Sequence, residues 1–140
     1  MIIIRDIEPQ DHPACAAIFE AAWTDAFSVS PRTIGVAEFA METKGEAVIV
    51  AVLSDRVCGF ASIYLAESFL HHLYVDPAHH RHGIGSSLLH KAIQRAPDKL
   101  NLKCQHSNRH ARDFYEAQGF VEGELGEDEY GLWVRLIAPY

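Results

Sequence analysis

A chain of 140 residues and 15.6 kDa, 49% hydrophobic and 22% charged, has the size and composition of one globular domain, so residues 1–140 are expected to fold as a single unit rather than stay disordered. The three cysteines, Cys15, Cys58 and Cys104, are odd in number and lack CxxC spacing, which argues against a disulfide framework or a thiolate zinc site, and no apolar run approaches the ~20 residues of a membrane span. Net charge is −7, but His71–Arg112 carries seven basic residues against two acids and eight of the nine histidines, while the remainder carries five against seventeen; such a basic segment suits a phosphate-bearing ligand beside a cationic one, not a nucleic acid, which needs a broad basic surface.

The start, Met1-Ile2-Ile3-Ile4-Arg5-Asp6, is too short for a signal peptide, so a soluble, cytoplasmic protein without a membrane partner is expected. Ile2–Arg5 reads as a short strand. Asp11 stands where an N-cap would, before a helix running to about Trp23 with Pro13 in its first turn. Residues 24–45 are irregular, broken by Ser30-Pro31 and Gly35, with room for a second helix around Val36–Glu42. Ala47–Leu53 is a continuous β-branched run; Ser54-Asp55 turns it into a strand over Val57–Leu65, and Phe69–Val75 is the next. Pro77 ends that strand. After Gly83-Ile84-Gly85, the residues Ile84, Leu88, Leu89, Ala92, Ile93 and Ala96 share one helical face up to Pro97. Leu100, Leu102 and Cys104 alternate with polar residues as a strand. Asn108 caps a helix through Gln118, with Gly119 just beyond it, and two last strands fall at Phe120–Val121 and Tyr130–Ile137. The order predicts an α/β fold, a mixed sheet flanked by helices.

The strongest local signal is Val75–Leu89, a strand, a turn and a glycine-lined helix start. Free N–H groups and the positive helix end bind anions there, and Gly83 and Gly85 permit close approach. The loop is not a P-loop, since no Lys stands between Gly85 and Ser86, and not a dinucleotide fingerprint, since the third glycine position is Leu88.

His80-Arg81-His82-Gly83-Ile84-Gly85 resembles motif A, Gln/Arg-x-x-Gly-x-Gly/Ala, of the GNAT superfamily of acetyl-CoA-dependent N-acetyltransferases. Asn108-x-x-Ala111-x-x-Phe114-Tyr115 followed by Gly119-Phe120 is similar to that family's motif B. The pair lies in the expected order, and the resemblance covers roughly residues 46–121. It departs at His80, where the family usually has Gln or Arg; neighbouring Arg81 is a second carrier of charge. The resemblance implies a GNAT-like fold, a central mixed sheet of six to seven strands with about four helices, and transfer of an acetyl group from acetyl-CoA to an amine. It further implies that pantetheine lies along Leu73, Tyr74 and Val75, that the pyrophosphate sits on the His80–Ser86 turn (His82, Gly83, Ile84 and Gly85 included), and that Asn108 and Tyr115 meet the cofactor arm.

The chemistry needs a base, because a primary amine is only about 1 part in 2,500 neutral at pH 7 and losing its proton costs roughly 4–5 kcal/mol. The resemblance makes Tyr115 the acid beside the departing sulfur and Phe114 a core residue. The family's carboxylate position is Phe69 here. That leaves His71, two residues on and therefore on the same strand face, Glu67 if the strand extends that far, or a water chain; His72 is expected on the opposite face. His71, His72, His79, His80 and His82 have no ordered ligand spacing, so no functional metal is expected, and no His-Asp arrangement points to Cys58 or Cys104 as a nucleophile.

The resemblance places the acceptor between the first two helices and the last two strands. Trp23, Phe27 and Tyr130 are candidate walls, with Thr24 through Pro31 and the acidic run Glu122, Glu124, Glu127, Asp128 and Glu129, unless that run is simply a solvated hairpin loop. An amine is the expected acceptor, cationic if the acidic run walls the site, with aminoglycosides, polyamines, amino-acid derivatives and protein N-termini all open. The rival readings are a non-catalytic acyl-CoA-binding protein, motivated by Phe69, and an interaction protein on the same fold. A homodimer is compatible with such a sheet, although no residue pattern demands one.

Overall fold

Seven strands and four α-helices are formed by the residues that the computed structural model describes, 1–26, 32–80 and 82–140. The strands are β1 (Ile2–Asp6), β2 (Ala47–Leu53), β3 (Arg56–Tyr64), β4 (Phe69–Val75), β5 (Asn101–Gln105), β6 (Val121–Asp128) and β7 (Gly131–Ile137). They make one sheet in the order β1-β2-β3-β4-β5-β7-β6, antiparallel throughout except for the parallel pair β4 and β5. The mixed α/β sheet expected from the sequence is therefore present.

Two helices cover each face. β2 is apolar on both sides: Val48 and Val50 join Phe60 against α1 (His12–Ala26) and α2 (Val36–Glu42), in a layer with Cys15, Phe19 and Phe39. Ile49, Ala51, Ala61 and Ile63 face the other way, onto Leu88, Leu89 and Ala92 of α3 (Ile84–Arg95) and Tyr115 of α4 (Arg109–Ala117). Gly59 lets α3 approach: a Cβ there would lie 3.0 Å from the Tyr74 carbonyl oxygen and 3.1 Å from both Ile84 and Leu88. The β2–β3 turn uses Ser54 and Asp55 at φ 51° and 64°, the twist that suits a two-residue hairpin.

Three local expectations are corrected. Asp11 does not cap α1: it closes a 3₁₀ turn, Pro9–Asp11, where its buried carboxylate receives Arg5 at 2.7 and 3.1 Å and the Glu8 N–H at 2.8 Å. β3 ends at Tyr64, and Leu65–Glu67 form a 3₁₀ turn closed by Ser68 at φ 48°. The acidic stretch after Phe120 is a strand rather than a loop: β6 pairs with β7 from Val121↔Ile137 to Asp128↔Gly131. Arg112 and Arg135 hold Glu122 and Glu124 at 2.9 and 2.6 Å, and the Trp133 ring lies across Gly126.

Two irregularities interrupt the sheet at β4. β4 and β5 share a single registered pair, Phe69↔Asn101, fastened by the Asn101 side-chain amide on the Glu67 and Ser68 carbonyls; beyond it the strands part. In β4, Leu70 faces Ile63 and His72 faces Ser62, so His71 is the extra residue of a β-bulge.

Candidate active site

Where β4 and β5 part, a cavity of about 530 Å³ opens beside the backbone of Leu73, Tyr74 and Val75. The β4 edge that faces it has no ladder partner past Phe69, so its peptide groups can pair with an amide-bearing chain. At one end the cavity meets the start of α3, where Gly83 (φ 74°) is the N-cap and no side chain caps the first turn. Among the described residues nothing outside the helix claims the N–H groups of Ile84, Gly85 and Ser86, which therefore suit an anion. Gly85 has no packing reason to lack a side chain: a Cβ would make only ordinary contacts, 3.6 Å from Phe114 and 3.7 Å from Val75. The space it leaves opens into the cavity. His79, His80 and His110 line the same mouth.

Ten of the residues singled out for cofactor contact line this one cavity: Leu73, Tyr74, Val75, His80 and Gly83 through Ser86 from one side, Asn108 and Tyr115 from α4. His82 does not line it, and Arg81 lies outside the described residues. Asn108 spends its Oδ1 on the Ala111 N–H at 3.2 Å as the α4 N-cap, which leaves its amide NH₂ for the cavity. Gln118 ties α4 to α3 through Ser86 at 3.2 Å. Phe114, expected in the core, is half-buried and lines the cavity as well.

A second cavity of about 280 Å³ continues the first, and Leu73, Tyr74, Asn108 and Tyr115 line both. Tyr115 stands at the junction. Its ring packs on Phe114 and Phe120, burial pushes its phenol pKa upward, and its hydroxyl has no hydrogen bond among the described residues. Cys104 lines the second cavity, but burial raises its thiol to about 11, so it holds its proton at neutral pH and makes a poor nucleophile. The far walls are Trp23, Tyr130, Gln105 and Asp128, with the two rings 5.7 Å apart edge to face. Of the acidic run only Asp128 lines the cavity; Phe27 through Pro31 lie outside the described residues.

The bulge overturns the expected facing of the two histidines. His71 and His72 stand on the same side of the sheet, their rings 3.8 Å apart, because the extra residue cancels the alternation. His72 is buried among Phe19, Phe60 and Tyr74, with its Nδ1 2.7 Å from Ser62 Oγ. Burial first, then the neighbouring His71 and Arg32 charges, push its pKa down to about 3, so it is neutral at ordinary pH. His71 is one-third exposed, lines the second cavity and sets its Nδ1 2.7 Å from Glu46 Oε2. Glu67 is taken off the strand by the Leu65–Glu67 turn; it is exposed and lines neither cavity. Glu46, 25 residues upstream of His71, carried no local signal in the sequence. Glu42, His71 and His72 bring ligand-type atoms within 4.8 Å of one another, but Arg32 already holds Glu42 at 2.7 Å, and that fixed cation opposes a second one.

The model of the Acetyltransferase (GNAT) family matches residues 12–120. An uncharacterized N-acetyltransferase of Methanocaldococcus jannaschii, MJ1207, is 30% identical over 104 residues, 71% of this chain. The peptidyl-lysine N-acetyltransferase YiaC of Escherichia coli is 40% identical over 65 residues, 46% of this chain. The matched stretch spans 43% of the length of each of these two relatives. Among solved structures, the PaiA N-acetyltransferase of Thermoplasma acidophilum in complex with coenzyme A has the same fold, with a TM-score of 0.77 at 15% identity over 96% of this chain and 98% of that one.

Proposed function

Since the chain belongs to the acetyltransferase (GNAT) family, we propose that it moves an acetyl group from acetyl-CoA directly to the amine of a small molecule or peptide. The observation that carries this reading is the two-part cleft: a helix start with free N–H groups at one end, an unpaired β4 edge along the middle, Tyr115 where the two cavities join, and His71 in the wall of the second. The Thermoplasma relative carries coenzyme A, which supports acetyl-CoA as co-substrate. The pyrophosphate meets the N–H groups of Gly83 to Ser86, the pantetheine amides pair with Leu73–Val75, and Asn108 and the histidine-rich mouth hold the rest of the arm. One sheet running through the whole chain supports reading residues 1–140 as one domain.

His71 takes a proton from the incoming ammonium. The neutral amine attacks the thioester carbonyl, the C–N bond forms, the C–S bond breaks, and the second proton of the amine passes to the departing sulfur. Tyr115 donates a hydrogen bond to that sulfur. Its raised pKa keeps the phenol protonated, so it stabilises the developing thiolate as a donor rather than surrendering its proton outright. Trp23, Tyr130 and Asp128 favour a cationic acceptor. YiaC acts on peptidyl-lysine, which makes a lysyl peptide the first acceptor to try. Three free, buried cysteines fit a reducing, cytoplasmic setting.

The second reading, a non-catalytic acyl-CoA-binding protein, rests on Phe69 in place of a carboxylate. A thiol-release assay with acetyl-CoA and a panel of lysyl peptide, peptide N-terminus, polyamine and aminoglycoside separates the two. Amine-dependent release of CoA is expected from at least one. Tight acetyl-CoA binding with no release above the amine-free rate from any of them would favour the binding protein.

A further inference from the structure

Glu46 is an unusual place to find a carboxylate. It sits in the turn before β2, its side chain is only 10% exposed, and of its two oxygens one is engaged by His71 Nδ1 at 2.7 Å while Oε1 is buried with no hydrogen-bond partner among the described residues. A desolvated carboxylate with an orphan oxygen costs free energy in the resting fold. No arginine or lysine among the described residues is paired with it, and it lines neither cavity, so it does not reach a ligand itself. What it does reach is the imidazole that lines the acceptor cavity at the β4 bulge.

We propose that Glu46 is the positioning residue of a Glu46–His71 dyad, one that fixes the imidazole with Nδ1–H toward the carboxylate and the Nε2 lone pair toward the acceptor amine. This deepens the acetyltransferase reading and rests on it. With a neutral partner, Glu46 is a buried charge compensated by one N–H. Once His71 holds the proton of the amine, the pair becomes imidazolium and carboxylate, and the burial that was a cost strengthens the attraction. The arrangement thus favours the state after proton transfer over the state before it, which is where a base needs help. The bulge is part of the device. In a regular strand the consecutive His71 and His72 would point to opposite faces, and with His72 kept against Ser62 the His71 ring would be turned away from Glu46 and from the stacking surface of His72. The two imidazoles have different Nδ1 partners: the Ser62 hydroxyl meets His72, which burial keeps neutral, and a carboxylate holds His71. The groups facing His71 are Glu46 from the turn before β2, with Glu42 of α2 and His72 of β4 in the cluster around it.

Two readouts test the dyad. The first, long-range ¹H–¹⁵N correlation of the imidazoles at neutral pH, needs no acceptor. Wild-type His71 is expected to carry its proton on Nδ1. In Glu46→Gln, whose amide can donate to Nδ1, and in Glu46→Leu, which offers no partner, the population should move toward Nε2–H. The second readout uses the amine of the panel that supports turnover. Glu46→Gln should lower kcat 10- to 1,000-fold and leave the acetyl-CoA KM within about twofold, and in a His71→Gln background it should have no further effect, since the two residues act as one unit. A wild-type His71 already carrying Nε2–H, an unchanged tautomer in both variants, or full additivity of the two substitutions would overturn the proposal. Absence of turnover in the wild type would instead refute the acetyltransferase reading, while the tautomer measurement still decides whether Glu46 orients His71.

Discussion

Tyr115 and His72 are two buried polar groups with opposite uses. Tyr115 is held between Phe114 and Phe120 at the cavity junction, its hydroxyl without a hydrogen bond among the described residues, and the proposed reaction gives it the departing sulfur as partner. Tyr115→Phe keeps the packing and removes only the donor; kcat should fall about 10²-fold or more with the acetyl-CoA KM nearly unchanged. His72 is a structural residue whose cost appears in acid. An unfolded chain protonates a histidine near 6.5, whereas the folded protein resists down to about 3. Between those values the unfolded state binds the extra proton, so the stabilisation is complete above about pH 6.5 and is lost as pH falls toward 3, at up to about 1.4 kcal/mol per unit. Urea midpoints at pH 7, 6 and 5 should fall for the wild type, and fall less steeply for His72→Gln. Equal slopes for the two proteins would remove His72 as the cause. Tyr115 was legible in the sequence because it stands in a motif with fixed spacing. Glu46 was not, because a contact 25 residues away leaves no mark on local periodicity.

At the scale of elements, two glycines, one beneath α3 and one within it, do opposite work. Gly59 of β3 is required by packing, since a Cβ would press on the Tyr74 backbone and on Ile84 and Leu88; Gly59→Ala should destabilise the protein by about 1–3 kcal/mol. Gly85 in the first turn of α3 has room for a methyl group and an ordinary helical conformation. Gly85→Ala should raise stability by up to about 1 kcal/mol while weakening acetyl-CoA binding, because the methyl group fills the mouth where the proposed function seats the pyrophosphate. Thermal unfolding with and without acetyl-CoA checks both halves, and a Gly85→Ala protein that binds as well as the wild type would show that the mouth is not the anion site. Strands and helices with strong periodicity, such as Ala47–Leu53 and Ile84–Arg95, were readable from the chain. Two features were not. The β4 bulge puts consecutive histidines on one face against the period-2 rule. β6 carries acidic residues that read as a loop until Arg112, Arg135 and the β7 ladder are known to pair with them.

For the molecule as a whole, the two cavities make one cleft. The histidine-rich mouth lies at the start of α3, and Trp23, Tyr130, Asp128 and Lys103 line the far part. The cleft between them exists because β4 and β5 meet in one pair and then diverge, a long-range property of the sheet that only the family resemblance, and no single segment, announced in the sequence. The acetyltransferase reading requires acetyl-CoA to occupy that cleft. Backbone amide NMR during a titration with acetyl-CoA tests it most directly. Saturable shifts are predicted at Gly83, Ile84, Gly85 and Ser86 together with Leu73, Tyr74 and Val75. An unchanged spectrum, or shifts confined to surfaces away from these two segments, would contradict it.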